Sequence, residues 1–158
     1  MKRENFKLKK VKIEKNLVTI DYSIDGSDKE FTEKCKTQPH PDLYKALDVF
    51  KPLMGQVCDM PEENDEKFAI NGIVIAEKKD SEFVMILSSY TVESGSKIAI
   101  NSPLISMDTD YWQDQATLGE NSDRVVDECY EYLFNNKSSQ LQMPFEEDKE
   151  EEPVEDKE

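Results

Sequence analysis

Residues 68–107 read FAINGIVIAEKKDSEFVMILSSYTVESGSKIAINSPLISM. Two apolar runs, Ile70 to Ala76 and Phe83 to Leu87, flank a polar turn from Glu77 to Glu82. A third run, Lys97 to Ile100, leads into Asn101-Ser102-Pro103. β-Branched and aromatic residues dominate, at the spacing of antiparallel strands joined by tight connections. Gly72 inside the first run predicts a bulge or a close approach of two backbones. Ser94-Gly95-Ser96 predicts the turn before the last strand. This meander is the expected sheet core, and it carries no catalytic constellation.

Upstream, Val18, Ile20, Tyr22 and Ile24 alternate with Thr19, Asp21 and Ser23, a period of two. Phe6 and Leu8 hold one phase, and Val11 and Ile13 the other. The phase breaks at Lys9-Lys10, where a bulge would bring all four apolar side chains to one face. Glu14-Lys15-Asn16 is the hairpin turn, with Asn16 suited to positive φ. Phe31 to Gln38 reads equally as a strand or a short turn. In PHPDLYKALDVFKPLMGQVCDM, Pro41 suits a first helical position, and Asp42 suits the positive end of the helix. Leu43, Ala46, Leu47 and Phe50 recur with helical spacing, and Pro52 stops or kinks that helix. Pro61 to Lys67 reads as an exposed acidic loop. Met107 to Glu120 reads as irregular, with Tyr111, Trp112 and Leu118 folding back on the core. Ser122 is the expected cap of a last helix, Asp123 to Asn135, presenting Val125, Val126, Cys129, Tyr132 and Leu133 on one face. Residues 137–158 are polar and then strongly acidic, the composition of a disordered tail. The expected fold class is therefore α+β. It has a mainly antiparallel sheet (N-terminal hairpin plus meander) and two helices packed on it, in one domain over residues 1–136.

The chain has 158 residues and a net charge of −15, unevenly spread. Residues 146–158 hold nine acids and two lysines, and the first fifteen hold seven bases and two acids. So acidic a surface repels duplex DNA unless its bases are clustered. Three widely separated cysteines with no CxxC pair fit a reducing compartment. No apolar run approaches the ~20 residues that span a bilayer. A soluble protein of the bacterial cytoplasm, with no membrane partner and no cofactor, is expected.

Chemistry-bearing residues are sparse. The single histidine, His40, lies between two prolines and reads more simply as a helix cap than as a base. Cys58 and Cys129 read as small core residues, and Cys35, flanked by Lys34 and Lys36, as an incidental thiol. No histidine or cysteine spacing resembles a zinc site, and the five glycines form no phosphate loop. Asp108 and Asp110, two apart beyond the meander, read as a hydrated pair or a weak cation site. The one basic region, Lys7, Lys9, Lys10 and Lys12 with Phe6 inside it and Tyr22 on the partner strand, matches the lysine-plus-aromatic pattern of single-stranded nucleic-acid binders. Its plainer reading is protection of an edge strand.

The sharpest motif is QLQMPF, Gln140 to Phe145, between the last helix and the acidic run. It resembles the six-residue peptide that docks on bacterial sliding clamps. The resemblance implies that Gln140 enters a polar subsite while Leu141, Met143 and Phe145 fill an apolar one. Met143 in the fourth place and Pro144 in the fifth are its least typical features. An extended peptide points alternate side chains the same way, and Pro144 disfavours helix there. The alternative is a strap packing Leu141, Met143 and Phe145 against the chain's own body. More broadly, PHPDLYKALDVFKPLMGQVCDM, NGIVIAEKKDSEFVMILSSY and INSPLI together resemble small proteins encoded by phages and prophages, over most of residues 38–107. That resemblance implies a neighbourhood of replication or recombination functions and brings no active site with it. Three functions follow as expectations: a non-enzymatic adaptor with a protein partner, a single-stranded DNA-binding protein, and an acidic nucleic-acid mimic inhibiting a host defence protein.

Overall fold

The computed structural model describes residues 1–109 and 117–139. Its strands are β1 (Phe6–Glu14), β2 (Leu17–Ile24), β3 (Glu30–Cys35), β4 (Phe68–Lys78), β5 (Ser81–Thr91), β6 (Lys97–Asn101) and β7 (Ile105–Ser106). They form one antiparallel sheet in the order β3-β2-β1-β4-β5-β6, with β7 also against β5. Helices α1 (Pro41–Asp48), α2 (Lys51–Val57) and α3 (Leu118–Phe134) share one buried cluster with a single face of that sheet. The α+β class and the antiparallel sheet are as expected, with three helices in place of two.

Local sequence explains most of the elements. The register between β1 and β2 shifts between Leu8 and Lys10, so Phe6, Leu8 and Val11 are all buried on one face, with partly buried Ile13 beside them. Gly72 is required by contact. A Cβ there would lie 1.8 Å from the carbonyl oxygen of Val11. β4 is bulged at that point, and β1 and β4 pair over only three residues, Lys10 to Lys12 against Val74 to Gly72. Two meanders are thus joined by a short seam. The β4–β5 connection is tighter than the polar stretch implied. Lys79 and Asp80 alone turn the chain, at φ 50° and 65°, the pattern of a two-residue hairpin turn. In the first hairpin the positive φ falls on Lys15 (49°) rather than Asn16.

The helices correct three boundaries. Pro52 opens α2, because a helix's first turn has no use for the N–H that proline lacks. Its ring also crowds the carbonyl four residues back, Asp48, which is where α1 ends. The last helix begins at Leu118 and is capped by Thr117, not Ser122. Thr117 Oγ1 accepts from the Glu120 N–H at 3.0 Å, and Glu120 Oε1 accepts from the Thr117 N–H at 2.7 Å. Ser122 sits fully buried inside α3, its hydroxyl without a hydrogen-bond partner among the described residues. The acidic stretch after Pro61 is a 3₁₀ segment, Glu62–Lys67. Phe31 to Cys35 lies in a strand. Leu118 is buried as expected, whereas Tyr111 and Trp112 lie outside the described residues.

Aromatic rings cluster where α3 packs over β1 and β2. Phe6, Tyr22, Tyr130 and Phe134 pack with ring centroids 5.3–5.9 Å apart, and Phe31 stacks on Tyr22 at 5.2 Å. The Tyr130 hydroxyl donates to the Met1 carbonyl at 2.6 Å and so ties the chain's start to α3. Residues 137–139, assigned above to the tail, lie against the body. Ser138 is buried and bridges Pro39, and the Ser139 N–H donates to the Gln38 carbonyl at 3.1 Å.

Candidate functional site

Side chains of paired residues share a face of the sheet, so the registers locate every outward residue. One row runs Thr32–Asp21–Lys10–Val74–Met85 across five strands. The next runs Lys34–Thr19–Lys12–Gly72–Leu87–Asn101 across all six in the main order. Among the described residues no helix covers this face. Over β1–β3 it carries lysines and hydroxyls interspersed with Glu14, Asp21 and Glu30, and it is apolar over β4–β5, where Val74, Met85 and Phe83 are half-buried and Leu87 is buried.

The structure brings Lys7, Lys10 and Lys12 together on that face, with Lys9 at the bulge. It does not bring the aromatic rings to them. Phe6 and Tyr22 are 3% and 4% exposed, on the opposite side of the sheet and under α3. Rings so packed cannot stack on bases, so the expected lysine-plus-aromatic platform is corrected to lysines alone. The physical reason is the bulge, which commits Phe6 to the same face as Leu8 and Val11. The lysines are partly engaged: Lys7 pairs with Asp25 at 3.3 Å and Lys12 with Glu14 at 3.5 Å. Asp21, opposite Lys10, accepts from Thr32 Oγ1 at 2.7 Å. Lys34 joins this surface from β3. Sequence reading missed it because the strand itself was left open; the alternation Phe31, Glu33, Cys35 was its only signal.

The remaining candidates resolve as structure. His40 Nδ1 accepts from the Asp42 N–H at 3.1 Å and caps α1. Cys129 is buried on α3, where desolvation and then the nearby Glu128 push its thiol up. Burial, then Asp59, also raises Cys58. Asp108 is exposed, and Asp110 lies outside the described residues. Among the described residues no three His, Cys, Asp or Glu side chains are grouped to hold a metal ion, and no helix is long and apolar enough to cross a membrane.

Glu33, Cys35, Thr37, Tyr132, Asn136 and Ser138 line a cavity of about 440 Å³ between β3 and the end of α3. Tyr132 donates its hydroxyl to the Thr37 carbonyl at 2.5 Å. Burial raises this phenol, with Cys35 beside it adding to the shift. Tyr22, whose hydroxyl donates to Glu33 at 2.6 Å, is pushed up to about 12 by burial and by that carboxylate. Both phenols therefore stay protonated donors at neutral pH. The clamp-like peptide, Gln140, Leu141, Met143 and Phe145, lies outside the described residues.

No protein-family model, curated protein or solved structure matches this chain.

Proposed function

We propose that this chain is a non-enzymatic adaptor of phage type, linked to DNA replication or recombination in the bacterial cytoplasm. Its segment Gln140–Phe145 docks on the host's sliding clamp. What supports the reading is position. Ser139 is bonded to the body, the motif begins at the next residue, and the acidic run follows it at once. Lys137 is clamped between Asp42 and Glu128, both at 2.9 Å, so the segment starts from a fixed point. Binding of the full chain to immobilised clamp is expected in the micromolar range, about −8 kcal/mol. The double substitution Leu141→Ala/Phe145→Ala should abolish it. Absence of binding at hundreds of micromolar, with a control clamp peptide binding, rejects the proposal.

A second reading is favoured by the lysine rows of the helix-free face: contact with the backbone of single-stranded nucleic acid. Without stacking rings, such binding is electrostatic and steeply salt-dependent, each phosphate contact contributing about −0.7 to the log–log slope. Replacing Lys7, Lys9, Lys10 and Lys12 by Gln should flatten the slope by about 3 by the same relation. No binding of oligonucleotide at low salt eliminates this reading.

A further inference from the structure

The sheet ends at β6 on the side away from the first hairpin, and main-chain parity shows which groups of β6 face outward. The Ser102 N–H donates to the Ile86 carbonyl at 2.9 Å, and the Val92 N–H donates to the Ser96 carbonyl at 2.9 Å. Between these bonds β5 and β6 pair without a register shift, from Leu87 against Asn101 to Thr91 against Lys97. Bonding residues alternate along an antiparallel strand. The even-numbered residues of β6 therefore direct their main-chain groups at β5. Lys97, Ala99 and Asn101 direct theirs out of the sheet, and among the described residues no strand takes them.

This edge is unlike the one at β3. β3 carries Glu30, Glu33 and Lys34 within its six residues, the kind of charge that keeps a strand edge from pairing. β6 reads KIAIN, with its one charge, Lys97, at the first position. Its middle residue, Ala99, is exposed on the helix-free face. Ile98 and Ile100 lie on the other face, opposite Tyr90 and Ser88, which are buried. Ile100 packs partly against the core, but Ile98 stays 47% exposed. Among the described residues only Met1 is a comparably exposed large hydrophobic.

The sequence of β6 is complementary to itself. Laid antiparallel against a second β6 and centred on Ala99, it sets Ala99 against Ala99, Ile98 against Ile100 and Lys97 against Asn101. The outward N–H and C=O groups of the three odd-numbered residues then meet their counterparts. Each Ile98 gains an apolar cross-strand partner, and no like charges meet within the strand pair. Centring the pair on Lys97 instead places two lysines face to face. Centring it on Asn101 sets Pro103, which has no N–H, against Ala99. The Ala99 register alone pairs all five residues.

We propose that β6 is a self-association edge, at which two copies of this chain join antiparallel about Ala99 into one continuous sheet. Five residues a side bury less than the ~1,200 Å² of stable complexes, so the dimer is weak and forms at high concentration. The proposal stands on edge geometry and does not depend on the clamp or nucleic-acid readings.

Amide exchange of the full-length chain tests it. In dilute solution Ala99 should exchange quickly, and Ile98 and Ile100 slowly. At millimolar concentration, where sedimentation should show a dimer, exchange at Ala99 should slow by about tenfold or more. A monomer at that concentration, or a dimer in which Ala99 still exchanges quickly, overturns the proposal. Charge substitutions test the register. Ala99→Lys and Ala99→Glu each alter an exposed side chain, so both variants should fold. Each by itself should stay monomeric, because position 99 meets its own copy and like charges directly opposite repel. Mixed in equal amounts, the two should form a heterodimer. Homodimers of either variant, or no heterodimer on mixing, overturn the proposal.

Discussion

Replacing Gly72 by alanine should cost this fold more than any other single methyl added at a glycine. The new Cβ would sit 1.8 Å from the Val11 carbonyl oxygen and 2.7 Å from its carbon, with Lys12 Cα at 2.9 Å. All three are backbone atoms, so no side-chain rotation relieves the clash. Reaching even 3.0 Å requires β1 and β4 to part by more than an ångström, at the one place where, among the described residues, the two meanders pair. Overpacking alone costs about 1–3 kcal/mol. Losing one or two seam hydrogen bonds adds about 1 kcal/mol each. A total of about 3–4 kcal/mol is a large part of the ~5–15 kcal/mol that holds a domain folded. In urea unfolding, with a slope of about 2 kcal/mol/M, the midpoint should fall by about 1.5–2 M. Gly26→Ala is the control, because a Cβ there meets nothing within 4 Å and only its φ of +88° is strained; its cost should be about 1 kcal/mol. Equal midpoints for the two variants would refute the reasoning, since strain at the seam would then be absent.

Other outcomes follow from the same structure. Thr117→Ala should lose about 1 kcal/mol by removing the cap of α3, whereas Ser122→Ala, which deletes a buried hydroxyl with no partner among the described residues, should leave stability unchanged or raise it; thermal unfolding of the two variants compares them directly. Tyr132→Phe should cost about 1 kcal/mol in the same assay by leaving the Thr37 carbonyl without its donor. The hydrogen bond from Lys137 holds the Asp42 carboxyl below its ordinary 3.8, and bonds to Asp42 and Glu128 hold Lys137 above its ordinary 10.5. A lowered acid stabilises above its unfolded value and fades as pH falls; a raised base stabilises below its unfolded value and fades as pH rises. Lys137→Gln should therefore destabilise between about pH 4 and pH 10 and converge on the unmutated chain outside that window, as read from urea midpoints against pH.

Much of the sheet was legible because its strands obey a strict period of two. The phase break at Lys9-Lys10 announced its own bulge, and the lone glycine of β4 announced a close approach. What escaped was decided by neighbours rather than by local pattern. β3 lies at an edge and buries only half of each inward side chain, so its apolar signal is diluted by Glu33, Lys34 and Lys36. The capping box Thr117–Glu120 was present in the sequence but stood in a stretch read as irregular, and Ser122 offered a competing cap next to the apolar stripe. β7, two residues long, has no signature apart from its pairing with β5. The lysine-rich strand shows the same limit at the candidate site. Its alternation already assigned Phe6 to the core, and one ring cannot both pack under α3 and receive a base. That the chain comes back to Pro39 at Ser138 could not be read at all, because a single bridge leaves no trace in composition.

The Tyr130–Met1 hydrogen bond has a consequence for how the protein is made. Its two ends are 129 positions apart, and the aromatic cluster around Phe6 closes only over the last helix. During synthesis the opening hairpin therefore leaves the ribosome with its oily side uncovered. It must wait until α3 has been read before its lid arrives. Contacts so distant along the chain make folding slow, and they leave the newborn first strands the natural clients of a chaperone.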